Sequence, residues 1–238
     1  AITGAYPSRA KSLGIRGAVP DPPLLLAKRV RDRLQRDGIT VEGDFRTVAQ
    51  LPRGSALLMT HYSPQLSEVI RLTNHHSINM YAEGCLRLIA DRVPALPGET
   101  MTETAIRAVK DHWTSQGLPG ALLEMYDGSG LTRANKVAPA YMTDLLTRVW
   151  RETDGAGFPR LLPSIGQEGT LRLLLAGTRL EGAGRMKSGS IHGVTCYAGY
   201  ITHGGRTYAV SVMVNNHTLR HSEVRRAIGD LLLATFVL

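Results

Sequence analysis

Cysteine is scarce in this sequence: 238 residues carry only Cys85 and Cys196. Two cysteines make no disulfide framework, and their separation has no metal-ligand spacing. Cys85 lies in a helical pattern and Cys196 in a strand pattern, where a thiol serves as a small buried apolar group. Aromatic residues amount to 5%, and no run of five basic residues occurs, although 28 Lys and Arg against 20 Asp and Glu give a net charge of +8. Nucleic-acid binders concentrate their basic residues and add aromatic stacking; here the arginines are scattered as on a solvated surface, so no nucleic-acid partner is expected. No apolar run approaches the about 18 residues that a membrane-spanning helix needs. The opening stretch "AITGAYPSRAKSLGIRG" has no apolar core of the signal-peptide kind and reads as if it began in mid-protein. Internal repeats and low-complexity segments are missing too, and nothing in the spacing of His, Cys, Asp and Glu calls for a metal or a cofactor.

What is present is an ordinary globular composition, 43% hydrophobic and 20% charged, in a length that suits one large or two small domains. "PDPPLLLAKRVRDRLQRDGI" predicts a helix opened by prolines, striped by Leu26, Val30 and Leu34 and stopped at Gly38. "ITVEGDFRTVAQ" predicts a strand with a kink. Two helical stretches follow in "SPQLSEVIRLTNHHSINMYAEGCLRLIADRV", joined near Asn74 to Ser77, with Ser63-Pro64 ahead of them and Pro94 behind. "TETAIRAVKDHWTSQGL" is an amphipathic helix ending at Gly117; neither Thr102 with Ala105 nor Thr104 with Arg107 makes a capping box, which leaves its start open. "ALLEMYDGSGLTRANKVAP" holds a strand and then a turn-rich loop, "PAYMTDLLTRVWRE" a helix, and "GQEGTLRLLL" the end of a loop and the start of a helix or strand. Val194, Cys196, Ala198 and Tyr200 then alternate with Thr195, Tyr197 and Gly199; "HGG" makes a turn and "RTYAVSVMVNN" returns. Two strands about a Gly-rich turn make an antiparallel hairpin, with Lys187 at the start of the first strand. "HSEVRRAIGDLLLATFVL" closes as a helix, and helices on either side of a hairpin give an α+β chain.

Two short motifs carry chemistry. Lys187-Ser188-Gly189 offers a cation for a carboxylate, a hydroxyl donor, and a residue that clears space beside a strand for a peptide-like ligand. Ser77-Ile78-Asn79 offers a hydroxyl and an amide two residues apart; by itself Ser77 would equally suit a helix N-cap. Either motif alone is a weak signal. His75, His76 and His192 lie beside them and are expected to be surface or packing residues.

The flanks of these motifs carry a resemblance. "HHSINMYAE", "YDGSGLTRANKVAP", "LLPSIGQEGTL" and "KSGSIHGVTCYAGYI" resemble, in family order, four segments of the dacB-type D-alanyl-D-alanine carboxypeptidases, peptidase family S13 of the class C low-molecular-mass penicillin-binding proteins. Ser188 stands where that family usually has threonine, so a hydroxyl is kept. The resemblance implies part of the penicillin-binding, β-lactamase-like transpeptidase fold, an antiparallel sheet with helices on both faces. It implies that Lys187 binds the terminal carboxylate of a peptidoglycan stem peptide or a β-lactam, and that Ser188 hydrogen-bonds the same carboxylate beside Gly189. The backbone N–H of Ser190 would form half of an oxyanion hole. Ser77 would relay protons towards the leaving amine and Asn79 would hold the substrate amide. Asp127 to Asn135 and the Gly and Pro residues of 163 to 170 would be structural. The place of work would be periplasmic or extracytoplasmic.

Such an enzyme needs a nucleophile of the pattern Ser-x-x-Lys. The sequence has one, Ser8-Arg9-Ala10-Lys11, in a polar, Gly-broken stretch unlike the buried helix the family uses, so it is expected to be coincidental. Residues 1–20 resemble the segment leading out of the family's inserted domains, and 21–238 the C-terminal part of its catalytic domain. Three explanations stand open: a fragment, a processed chain with a separate N-terminal chain as partner, or a degenerate homologue that binds peptidoglycan peptides without catalysis.

Overall fold

A computed structural model describes residues 17, 19–57, 59–155 and 157–237. Ser8 and Lys11 lie outside the described residues. Two compact units divide the chain, residues 1–62 and 63–238.

The first unit is built on helix α1, Pro22–Arg36. Asp21 caps it by accepting the Leu24 N–H at 2.9 Å, and prolines fill its first positions, where an N–H would have no partner. Lys28–Asp32 and Arg33–Asp37 pair along its surface at a spacing of four. Beyond it, Arg31 lies over the Phe45 ring, 4.2 Å from the centroid. The strand expected over residues 39–50 does not form. An extended run is stable only with a neighbour to take its backbone groups, and none pairs with it among the described residues. Gly43, at φ 79°, also turns the chain there.

In the second unit, α2 (Leu66–His76), α3 (Asn79–Ala90) and α4 (Met101–Ser115) form a helical group. Leu86 and Ala90 of α3 pack on Ala105 of α4. The start of α4 is fixed by a capping box between Thr100 and Glu103, two residues upstream of Thr102. A two-residue ladder, β1 (Leu123–Glu124) with β2 (Lys136–Val137), closes the Asp127–Asn135 loop. Helix α5 is Pro139–Glu152, with its proline in the first turn as expected.

The sheet has three antiparallel strands in the order β3 (Gly184–Ile191), β4 (Val194–His203), β5 (Arg206–Asn215). One hairpin was expected and two are found. Lys187 therefore sits in the middle of a strand of its own and pairs with Ala198, not at the start of the strand that reaches Tyr200. The unread turn is His192-Gly193. The turn that was read, Gly204-Gly205, has φ of 58° and 74°, the double positive φ that suits a two-residue hairpin loop.

The central strand β4 is covered on both faces. Tyr197 and Ile201 share one core with Met186 and with Val224, Ile228 and Leu232 of α6 (His221–Phe236). Tyr200 faces the other way and packs with Leu146 of α5 and Leu162. Period-two alternation thus puts a helix on either side of the sheet. Buried Tyr200 keeps its hydroxyl paired, donating to the Leu146 carbonyl at 2.8 Å, and burial pushes its pKa up to about 12. Cys85 and Cys196 are free and half-buried rather than fully buried, and burial raises both thiols. Among the described residues no helix is long and apolar enough to cross a membrane.

Candidate active site

Ser77 and Lys187 meet although 110 positions separate them: Lys187 Nζ donates to Ser77 Oγ at 3.1 Å. Ser77 occupies the break between α2 and α3. It is the C-cap of α2, in the left-handed conformation at φ 54° and ψ 53°, and Ile78 is the N-cap of α3. The alternative of a helix N-cap for Ser77 is thereby corrected. A non-glycine residue in this region costs about 1 kcal/mol or more, which a helix-to-helix break accepts when it aims a side chain. Asn79 begins α3 on the exposed side, with no hydrogen-bond partner for its amide among the described residues.

Strand β3 supplies the rest. Lys187 is half-buried; burial disfavours its cation and lowers its pKa. Its ammonium also donates to the Ser188 carbonyl. Ser188 Oγ donates to Thr170 Oγ1 at 2.7 Å. Gly189 is exposed, and a Cβ built on it would meet nothing within 4 Å among the described residues, which leave the space beside the strand clear.

The direction of the β3 backbone follows from parity. In an antiparallel strand the N–H and C=O of one residue point to the same side, and residues alternate. Met186 N–H donates to the Pro163 carbonyl and the Gly184 carbonyl accepts from Ile165 N–H, both away from β4. Ser188 and Ser190, of the same parity, therefore turn their backbone groups to the outer edge as well. Residues 163–165 cover the first half of that edge. Beside Ser190, which is exposed and pairs with Thr195 of β4 on its inner side, no strand covers the outer edge among the described residues.

Two further segments frame the edge. Glu168 Oε2 accepts from Ser164 N–H at 2.9 Å and pairs with Arg185 at 3.2 Å, and Leu171 is fully buried. Between them Gly169, at φ 50°, lies so close to α2 that a Cβ there would stand 2.3 Å from the His75 carbonyl oxygen. His75 is buried, as the packing alternative expected; burial lowers its pKa, and its Nε2 has no hydrogen-bond partner among the described residues. On the other side, Asp127 accepts from Gly130 N–H, Thr132 N–H and Asn135 Nδ2 at 2.7, 2.8 and 2.7 Å. Burial would push its carboxyl up, but these donors outweigh it and hold the pKa down. Glu83 of α3 receives the Gly128 and Ser129 N–H groups, and Arg133 Nη2 donates to the His192 carbonyl at 3.2 Å. The loop therefore ties α3 to the β3–β4 turn.

The geometry thus brings Ser77, Lys187 and Ser188 into one hydrogen-bonded group, with Asn79, Gly189 and Ser190 exposed on the same two segments. Thr170 and Arg133 enter the surroundings without having been singled out in the sequence. For Thr170 the one signal in the sequence is its place in "LLPSIGQEGTL", a segment carried by the resemblance. No group of three or more His, Cys, Asp or Glu among the described residues is placed to hold a metal ion.

Comparison with known proteins bears on this geometry. The sequence model of the D-Ala-D-Ala carboxypeptidase 3 (S13) family matches residues 1–235. A D-alanyl-D-alanine carboxypeptidase of Actinomadura sp. strain R39 is 28% identical over 228 residues, 92% of this chain and 41% of that protein. The D-alanyl-D-alanine carboxypeptidase DacB of Haemophilus influenzae is 27% identical over 220 residues, 91% of this chain and 45% of the relative. The crystal structure of penicillin binding protein 4 (dacB) from H. influenzae superposes with a TM-score of 0.76 at 25% identity, over 88% of this chain and 48% of that one. Its complex with a β-lactam superposes at 0.77 and 24% identity, covering 92% and 52%. The fold is that of these penicillin-binding proteins, and the chain spans about half the length of the relatives it matches.

Proposed function

The chain belongs to the D-Ala-D-Ala carboxypeptidase 3 (S13) family, and from that premise we propose that it forms the substrate-binding half of a serine-type D-Ala-D-Ala carboxypeptidase or endopeptidase acting on peptidoglycan stem peptides. The observation that carries the reading is the 3.1 Å hydrogen bond from Lys187 to Ser77. A cation at that place holds the terminal carboxylate that stem peptides and β-lactams share. Ser188 adds a hydroxyl, and the outward N–H of Ser190 meets the developing oxyanion. Asn79 holds the substrate amide.

Chemistry proceeds by attack of a serine oxygen on the D-Ala-D-Ala carbonyl carbon. The C–N bond breaks, the amine leaves with a proton, and water later releases the acyl group. Ser77 suits the proton step. Its oxygen accepts from Lys187, so its own hydrogen is free to pass to the leaving nitrogen while Lys187 resupplies it. A lysine whose pKa is lowered by burial gives up that proton more readily.

In this reading the nucleophile comes from polypeptide outside these 238 residues, and Ser8 with Lys11 plays no part. Residues 1–20 lead out of inserted domains, and 21–238 complete the catalytic domain. The free edge of β5 supports a covering partner segment. Tyr208, Val210, Val212, Leu231 and Phe236 line a largely apolar groove there, beside Thr143, His203 and Thr235, and the buried Ser211 hydroxyl has no hydrogen-bond partner among the described residues. An N-terminal segment, in the same chain or a separate one, fits that edge. The work is done where peptidoglycan is, outside the cytoplasmic membrane.

The test is covalent labelling of the full-length protein by a fluorescent penicillin. The label should map outside residues 1–238, and Lys187→Ala should slow acylation about 10- to 100-fold, the worth of a charge-assisted hydrogen bond. An acylation rate within twofold of the parent would remove Lys187 from the role. A protein that binds stem peptide but takes no label would be a non-catalytic peptidoglycan-peptide-binding homologue.

A further inference from the structure

We infer that Thr170 is a positioning residue of the carboxylate site, acting through Ser188; the inference rests on the function proposed above. The Ser188 and Thr170 hydroxyl oxygens stand 2.7 Å apart, so one of the two hydrogens must lie between them. A hydroxyl has one hydrogen to give. Ser188 donates its hydrogen to Thr170. To donate to a carboxylate instead, Ser188 must turn that hydrogen outward. Its oxygen is then left facing Thr170, whose hydroxyl rotates to donate in return. The pair works as a relay: Thr170 to Ser188, Ser188 to carboxylate. Each hydrogen bond in such a chain polarises the next.

The placement of Thr170 is what makes the relay directional. The residue is exposed, so nothing in the core needs its hydroxyl. Its neighbours are nevertheless fixed. Gly169 is pressed against the His75 carbonyl on one side, and Leu171 is fully buried on the other. Leu171 N–H donates to the Glu168 carbonyl at 3.0 Å, and its carbonyl accepts from Gly166 N–H at 3.1 Å. A polar side chain on so constrained a turn keeps its oxygen close to Ser188, which lowers the entropic cost of binding. Lys187 donates to Ser77 and to the Ser188 carbonyl, and neither bond supplies the Ser188 hydroxyl oxygen with a donor.

The consequence is selective for ligands with a carboxylate. In the full-length protein, acylation rates are measured with benzylpenicillin and with its methyl ester, which keeps the ring and lacks the anion. The parent should prefer the acid. Thr170→Val, nearly the same shape without the hydroxyl, should lower the acid-to-ester rate ratio about fivefold, the worth of one hydrogen bond. Thr170→Ser, which restores the hydroxyl, should return the ratio to within about twofold of the parent. If Thr170→Val slows both ligands alike and leaves the ratio where it was, the residue only holds the loop and the inference fails. It fails as well if Thr170→Ser behaves like the valine variant. A parent that is not acylated at all overturns the proposed function and this inference with it.

Discussion

Replacing Gly169 by alanine should destabilise the second unit by about 2–5 kcal/mol, from two separate terms. The first is conformational: at φ 50° an L-residue pays about 1–2 kcal/mol that glycine does not. The second is steric. The new Cβ would stand 2.3 Å from the His75 oxygen, 3.0 Å from its carbonyl carbon and 3.1 Å from its Cα. All three are backbone atoms at the end of α2, so no rotamer change makes room, and forced repacking costs about 1–3 kcal/mol. Gly177 provides the control. Its φ is 75°, and a Cβ there meets nothing within 4 Å. Gly177→Ala should therefore pay the first term alone. Urea unfolding followed by circular dichroism separates them: with a slope of about 2–3 kcal/mol per molar, Gly169→Ala should lower the midpoint by about 1 M and Gly177→Ala by about half that. Equal midpoint shifts for the two variants would mean that Gly169 does not touch His75, and the packing that fixes Thr170 would fall with it.

Glu99 accepts from Arg107 at 2.7 and 2.9 Å, from Leu96 N–H at 2.9 Å and from Thr104 at 3.1 Å. Arg107 first, then Leu96, lower its pKa from 4.5 to about 2. Its folded value lies below its unfolded one, so its contribution is complete above the unfolded value and disappears as the pH falls through the folded one; thermal melts should show a smaller acid loss of stability in Glu99→Gln, and identical acid profiles would refute this. Tyr200→Phe removes the bond to the Leu146 carbonyl and should cost about 1 kcal/mol in urea unfolding, with an unchanged midpoint as the contrary result. Ser77→Ala in the full-length protein should reduce the acylation rate constant more than initial penicillin binding, since proton relay belongs to the transition state; a change in binding alone would leave Ser77 a structural residue.

Much of the helical framework was legible in the sequence because its signals are local. Pro139 at the start of α5 and Gly38 beyond α1 are read from the residues themselves. The features that the sequence leaves hidden are tertiary or lie just ahead of an expected element. The capping box of α4 begins at Thr100, just ahead of the stretch that was weighed. "SIHGVT" conceals a turn because Ile191 and Val194 continue the apolar pattern across it, so two hairpins read as one. "ITVEGDFRTVAQ" has strand-forming residues but no neighbour to pair with among the described residues, and propensity gives way to the lack of a ladder. The motifs at the site were visible, but their proximity was not: no local pattern brings Ser77 to Lys187, and the expectation came from resemblance alone. Thr170 was passed over because its meaning depends on Ser188, a neighbour only in the folded chain.

The two edges of the sheet explain why so much of the chemistry sits on one of them. An open strand edge is a hazard, since unpaired N–H and C=O groups invite any extended chain. On β3 the hazard is managed. Residues 163–165 pair with its first half, and Lys187 satisfies the Ser188 carbonyl in its second half. A half-buried cation beside the remaining gap discourages the approach of an apolar strand. In the function proposed above it favours one kind of extended guest, a peptide that ends nearby in a carboxylate, so that the device protecting the edge would also select the ligand. The β5 edge has no such arrangement. Its groove is lined by Tyr208, Val210, Leu231 and Phe236, without a Lys, Arg, Asp or Glu. In the function proposed above, an edge of that composition would take permanent cover, whereas the edge guarded by Lys187 would take a ligand that comes and goes.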